Sequence, residues 1–491
     1  MVIITGNFHA SSEPIGIPLL LNKGLFILWI ILALLIFGCT VGPEYRPPKL
    51  NTPEKYYHSS ERDEETDSSA LLKEWWILFK DKKLDFLIQQ AIASNKDLRI
   101  SEARIREARA RFQIVSGEKY PILNAGGDFR RTRTSEEIES PRGGETQSLF
   151  EAGFDSLWEI DLFGGTRRSV EAAHADISAV LETKRDILVT LLAEVARNYI
   201  ELRGSQQRIA IALQNIHAQR QTVELIQGRV KAGIDNELRL SQAKAQLAAL
   251  EAQTPILERK VNQALYRLDV LTGKPPGGLS IMLKSTESIP DPLFDFSVGI
   301  PSDLLRRRPD IRKAERELAA ATARIGIATA DLFPKFSLTG IFGRQGLDFS
   351  DLADSGSTFW SIGPSIRWPI FNSGRIKANI EVQNARQESS LIQYEKSVLI
   401  ALEEVENALF AITHEQKSRI SLAKSVLSNQ KAVDISSELY RRGMTNFLDV
   451  LISQRSLYIS QDTLVQNEQN IATSMVALFK ALGGGWQFTE F

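Results

Sequence analysis

The chain has 491 residues, 43% hydrophobic and 24% charged, enough material for one or two ordinary cores and diagnostic of no single class. Its 59 lysines and arginines against 60 aspartates and glutamates leave a net charge of -1, which excludes the basic footprint of a nucleic-acid binder and a long acidic tail. The one cysteine, Cys39, excludes an internal disulfide and any cysteine metal cluster.

In chain order, the first informative stretch is apolar, from Gly24 to Phe37. Its length of about 14 residues gives roughly 21 Å as a helix, against a hydrocarbon core of about 30 Å. With Lys23 before it and Gly38-Cys39 after it, residues 1–38 read as a secretory signal. The alternative is an uncleaved anchor carrying a buried cysteine. Residues 39–73, first proline-rich and then acidic and serine-rich, read as an extended linker. Ordered structure is expected from Trp75-Trp76, with helical periodicity from about Leu84 to Gly117, ended by Pro121.

Next come strands. From Phe150 the positions Phe150, Ala152, Phe154, Ser156, Trp158, Ile160 and Leu162 alternate with Glu151, Asp155, Glu159 and Asp161. Further on, Trp360, Ile362, Pro364, Ile366, Trp368 and Ile370 alternate with Ser361, Gly363, Ser365 and Arg367. Period-two patterning of that length exceeds the usual five or six residues of a soluble strand and suits a membrane barrel, lipid on one face and water on the other. Strands are expected at about 121–133, 147–163, 335–345 and 357–371, with polar tips between the members of each pair. Two hairpins cannot close a barrel, and an open edge in lipid leaves backbone groups unsatisfied, so several copies must share one.

The helical stretches are very long. Between Gly374 and Gly443 lies neither glycine nor proline. One helix or two stacked ones would there reach about 100 Å. Leu391, Tyr394, Val398, Ala401, Val405, Ala408 and Ile412 step by threes and fours, the coiled-coil period, and Ile209, Leu213, Ile216, Arg220, Val223 and Val230 are expected to form a similar seam.

These segments are written twice. Asp97, Arg99 and Tyr120-Pro121 recur as Asp310, Arg312 and Phe333-Pro334; Leu162-Phe163 recurs as Ile370-Phe371; Gly233, Asn236 and Leu238 recur as Gly443, Asn446 and Leu448. Repeats over 74–280 and 295–486 follow.

Several motifs together resemble the TolC-type outer-membrane efflux proteins, specifically the lipoprotein branch serving resistance–nodulation–division (RND) pumps. They are Cys39-Thr-Val-Gly-Pro-Glu-Tyr45, Leu304-Leu-Arg-Arg-Arg-Pro-Asp-Ile-Arg312, Ala314-Glu315-Arg316, Ile325-Gly326-Ile-Ala328, Leu332-Phe-Pro-Lys335 and Ala481-Leu-Gly-Gly-Gly-Trp486. The resemblance implies a mainly α fold with a membrane β-barrel. Three chains would supply a twelve-stranded barrel and a twelve-helix periplasmic barrel. It also implies a lipid on Cys39, no other cofactor, and an outer-membrane location. The expected partners are outer-membrane lipid, a periplasmic adaptor (membrane fusion protein) and an inner-membrane RND transporter. Ile36-Phe37-Gly38-Cys39 resembles a lipobox, although Phe37 occupies a position usually held by a small residue.

No catalytic or metal-binding constellation is visible. His9, His58, His174, His217 and His414 are scattered, and Gly273-Lys274 lacks the upstream glycine of a phosphate loop. Passive conduction is the expected work: an exit duct for small amphipathic compounds, with a duct for type I protein secretion or a non-conducting periplasmic spacer as alternatives. By resemblance the turn from Tyr440 through Arg441, Arg442 and Gly443 to Leu448 and Asp449 is the periplasmic gate, with Leu448 at the constriction and Arg455 just inside. Three Asp449 carboxylates at roughly 10 Å would repel by about 0.4 kcal/mol per pair in water and about 1.7 at an effective dielectric near 20, so Arg441 or Arg442 is expected to compensate. Asn446 with Asp449 also reads as an ordinary N-cap.

Overall fold

A computed structural model describes residues 40–50, 53–58, 72–137, 144–291 and 301–489. The signal segment and Cys39 lie outside the described residues. The helices are α1 (Lys82–Ser94), α2 (Lys96–Gly117), α3 (Gly165–Lys231), α4 (Glu237–Glu251), α5 (Thr254–Leu271), α6 (Pro309–Ala330), α7 (Arg375–Arg441) and α8 (Phe447–Ala481); the strands are β1 (Ile122–Arg133), β2 (Thr146–Ile160), β3 (Lys335–Gly346) and β4 (Thr358–Arg367). The duplication is literal: α2 and α6 have 22 residues each, and α3 and α7 have 67 each. Where the second copy runs straight through α8, the first breaks into α4 and α5, with Pro255 in the first turn of α5. Among the described residues no helix is long and apolar enough to cross a membrane.

The chain divides into two compact units. The first comprises Gly117–Ser169, Gly326–Ile380 and the described residues up to Pro43. Its sheet runs β1-β2-β3-β4, all neighbours antiparallel. Directly paired residues share a face, so the register sorts the side chains without ambiguity. One face collects Phe129 with Phe150, Phe154 with Phe342, Phe342 with Trp360, and Phe336 with Ile366. The other collects Asn124 with Asp155, Asp128 with Glu151, Glu159 with Ser337, and Lys335 with Arg367. Phe129, Phe342 and Trp360 are 58%, 58% and 71% exposed, so among the described residues the apolar face is left largely uncovered.

Two strands stop sooner than the alternation predicts. β2 ends at Ile160, where Leu162 N–H donates to the Ile160 carbonyl at 3.0 Å and Asp161 instead accepts from Arg167 N–H at 2.8 Å, capping the start of α3. β4 ends at Arg367, since Pro369 has no N–H to give and Ile370 turns back onto Trp368 at 3.0 Å. Alternation persists past both ends because the aromatic side chains keep facing outward after pairing ceases.

The second unit comprises Glu44–Ser116, Val170–Ile325 and Glu381–Phe491. Its main core gathers Trp75, Trp76, Phe79, Tyr199 and Phe479 with aliphatic residues of α1, α3, α7 and α8, and Trp75 stacks on Phe479 at 5.1 Å. The Leu304–Arg312 motif acts here as a fastener. Arg308, 7% exposed, donates to Asp310 at 2.7 Å, to Glu404 at 2.6 Å and to the Ala481 carbonyl at 3.0 Å, joining the start of α6, the middle of α7 and the end of α8. Trp486 then lies beneath the Arg185 and Arg312 guanidiniums at 4.6 and 5.2 Å.

Two expectations need correction in this unit. The periodicity from Leu84 to Gly117 is not one helix: Asn95 adopts an extended backbone and its side chain accepts from Asp97 and Leu98 N–H at 2.8 and 3.1 Å, ending α1 and starting α2. The α7 seam is buried as expected at Tyr394, Val398, Ala401, Val405, Ala408 and Ile412. In α3, however, the buried line runs through Ala212, Ile216, Gln219 and Ile226, while Leu213 is 53% exposed and the Arg220 side chain 59%. Ile209, Ile216, Val223 and Val230 pack as expected, and the seam departs from its expected course only at Leu213 and Arg220, where the small Ala212 and the amide Gln219 fill the close approach instead.

Candidate channel gate

Both long hairpins turn in the same way. Gly233 (φ 72) and Gly443 (φ 75) take the left-handed conformation that ends a helix. Gly233 N–H donates to Val230 and Ile234 N–H to Arg229, at 3.0 and 2.9 Å; Gly443 N–H to Tyr440 and Met444 N–H to Leu439 repeat those bonds at 3.0 and 2.9 Å. Asn236 then caps α4 through Arg239 N–H, and Asn446 caps α8 through Asp449 N–H, both at 3.1 Å. In this matched backbone Asp235 stands where the second turn has Thr445, and Arg239 where it has Asp449.

That exchange gives the turns different chemistry. Thr445 donates its hydroxyl to the exposed Asp449 carboxylate, a local bond only. Asp235 has no exposed side-chain surface and is held from three sides: Tyr440 donates its hydroxyl at 2.6 Å, Arg239 donates at 2.8 Å, and Arg229 lies at 3.7 Å. Arg229 also sits 5.1 Å above the Tyr440 ring. Around them Ile226, Leu240, Ala243, Phe447 and Val450 form a small apolar cluster drawn from α3, α4 and α8, with Tyr440 supplying the α7 member. One carboxylate thus ties the turn of the first repeat to the end of α7 in the second.

Burial by itself pushes the Asp235 carboxyl up, but the hydrogen bonds from Tyr440 and Arg239 outweigh it and hold the group below its ordinary value. Tyr440 is pushed up to about 12 by burial first and by its bond to Asp235 second. A carboxylate lowered on folding contributes stability that is complete above its ordinary value, about 4, and is lost as pH falls through the lowered folded value. The tie is therefore expected to be unchanged between about pH 7 and pH 5 and to fail only below about pH 4. Hydrogen exchange at the two turns, followed against pH, measures this directly.

Of the residues expected at the gate, Tyr440 is 4% exposed and central to this cluster. Leu448 is 50% exposed, and with Ile452, Arg455 and Ile459 it forms an outward stripe along α8. Arg441 and Arg442 do not approach Asp449: both pair with Glu438, at 3.0 and 2.6 Å, and those bonds hold the Glu438 carboxyl below its ordinary value. Spacing explains this, because Glu438 lies one helical turn back on the same face, whereas Asp449 lies beyond the turn. Asp235 and Arg229 were missed. The available signal was the i,i+4 pair Asp235 and Arg239 aligned with the uncharged Thr445.

The sequence profile of the outer membrane efflux protein family matches residues 87–274 and 300–484, one block on each copy of the duplicated unit. The chain belongs to that family. The solvent efflux pump outer membrane protein SrpC of Pseudomonas putida is 31% identical over 463 residues, covering 93% of this chain and 97% of that protein. Nodulation protein T of Rhizobium leguminosarum bv. trifolii is 30% identical over 454 residues, 92% and 96% of the two chains. Among solved structures, the outer-membrane channel OprN matches with a TM-score of 0.84 at 34% identity, covering 91% of this chain and 100% of that one. The Campylobacter jejuni CmeC outer membrane channel, TM-score 0.85 at 24% identity over 92% and 96% of the two chains, matches in fold. This efflux protein resides in the outer membrane.

Proposed function

We propose that three copies of this efflux protein close one barrel and form the exit duct of a tripartite pump, conducting drugs and other small amphipathic compounds passively outward. The carrying observation is the sheet: one face apolar throughout its middle, the other charged, and the outer edges of β1 and β4 unpaired among the described residues. In lipid those edges demand neighbours, and a head-to-tail arrangement supplies them in a ring. The outward α8 stripe suits packing against another helix pair. Ile234 and Met444, 63% and 70% exposed at the two turns, suit docking of a periplasmic adaptor, which in turn would join an inner-membrane RND transporter.

A lipid on Cys39 fits the same arrangement. Val41 N–H donates to the Phe163 carbonyl at 3.1 Å, and Arg168 donates to the Val41 carbonyl at 3.2 Å. The residue two places after Cys39 is thus fastened beside the end of β2, which suits a lipid carried on Cys39. Mass spectrometry of the mature N-terminus reads the acylation. In this scheme the Asp235–Tyr440 tie keeps the periplasmic entrance closed until the adaptor and pump engage it, and Leu448, Asp449 and Arg455 line the approach. Planar-bilayer recording of the purified protein tests the whole reading: small, mostly closed steps are expected, and an absence of any conductance rejects a duct.

A further inference from the structure

The duplication contains a contact that this chain makes once, although its two halves provide for it twice. Just past the end of the β2–β3 pairing, Phe163 stacks on Phe333, ring centroids 4.6 Å apart and planes 21° apart. Phe163 follows the second strand of the first copy; Phe333 precedes the proline that leads into the first strand of the second copy. Their counterparts are Phe371, which follows β4, and Tyr120, which precedes Pro121 and β1. Those two rings are 87% and 69% exposed and belong to opposite edges of the sheet.

We propose that β4 of one protomer pairs with β1 of the next and that Phe371 stacks on the partner subunit's Tyr120, repeating between chains the Phe163–Phe333 contact made within one. This rests on the shared barrel of the proposed function and adds the residues and the register that close it. Carrying the β2–β3 register across with those counterparts converts Trp158 opposite Leu338 into Ile366 opposite the partner subunit's Ala125. Phe154 opposite Phe342 likewise becomes Ile362 opposite the partner subunit's Phe129. Every transferred pair joins like face to like face, apolar to apolar and polar to polar, although nothing in the transfer required it; a slip of one residue would have set lipid-facing side chains against lumen-facing ones. The same register places Trp360 beside the partner subunit's Arg131, giving an indole face to a guanidinium that otherwise stands on the lipid side.

The test uses full-length protein in outer membranes. A Tyr120→Cys, Phe371→Cys double variant treated with a short bismaleimide is expected to yield linked dimers and trimers on a denaturing gel, with each single variant remaining monomeric. An Ala125→Cys, Ile366→Cys double variant, its positions directly opposite in the inferred register, is expected to link by oxidation alone. If both double variants run as trimers on a native gel yet link no better than the singles, the inferred pairing is overturned. If no variant and no unaltered protein shows a trimer on that gel, the shared-barrel reading itself falls.

Discussion

Replacing Asp235 by alanine is expected to open the channel. The substitution leaves Arg229 and Arg239 facing each other without the carboxylate between them, and it strands the Tyr440 hydroxyl in an apolar cluster. Removing one member of a fully buried charged group costs about 3–5 kcal/mol, and because Arg229 and Arg239 keep 26% and 36% of their side-chain surface in water the loss here is reduced to about 2–3 kcal/mol. Every 1.4 kcal/mol is about a factor of ten, so a closed state favoured by that amount would lose roughly 30- to 100-fold of its preference. In planar bilayers Asp235→Ala should turn brief openings into sustained ones, and cells carrying it should admit antibiotics too large for the closed entrance. Tyr440→Phe removes only the hydroxyl and should act in the same direction by about 1.5–3 kcal/mol, the range for a hydrogen bond to a charged acceptor. Asp449→Ala breaks only the bond from Thr445 on an exposed surface and should change closure little. Unaltered conductance in Asp235→Ala would remove this carboxylate from the gate.

A second large effect is expected at the middle of the sheet. Phe342 and Ile341 are neighbours in β3, but Phe342 pairs with Phe154 and Trp360 on the apolar face while Ile341 pairs with Asp155 and Ser361 on the polar one. An arginine on the lipid face near mid-membrane costs about 2–4 kcal/mol in a transmembrane barrel, and three chains in one barrel would incur it three times. Phe342→Arg should therefore abolish assembly in the outer membrane. Ile341→Arg, with Asp155 beside it and water in front of it, should assemble normally. Fractionating membranes and comparing the amount of folded protein in each variant reads the difference; equal levels would contradict the assignment of the faces.

The contrast between these two regions also marks what the sequence makes legible. Strand alternation is a one-dimensional signal, and the positions from Phe150 to Ile160 announce both the element and its two environments. Coiled-coil spacing similarly locates the α7 seam from Tyr394 to Ile412. In α3 the same rule finds Ile209, Ile216, Val223 and Val230 but misses two positions, because close packing selects Ala212 and Gln219 over Leu213 and Arg220. The end of α1 at Asn95 depends on one side chain choosing its own backbone as partner, a competition that composition does not reveal. The gate was only half visible. Resemblance points to Tyr440, but its partner lies 205 positions away, and only folding brings Asp235 to it. Arg441 and Arg442 showed the converse error: basic residues near an expected acidic ring are claimed first by the glutamate one turn behind them.

On this reading the chain is an incomplete wall that its own copies complete. Native mass spectrometry of the protein extracted from outer membranes into detergent weighs the assembly directly. Three chains per particle, together with any acyl groups carried at Cys39, is the predicted mass; a stable single chain would contradict the account.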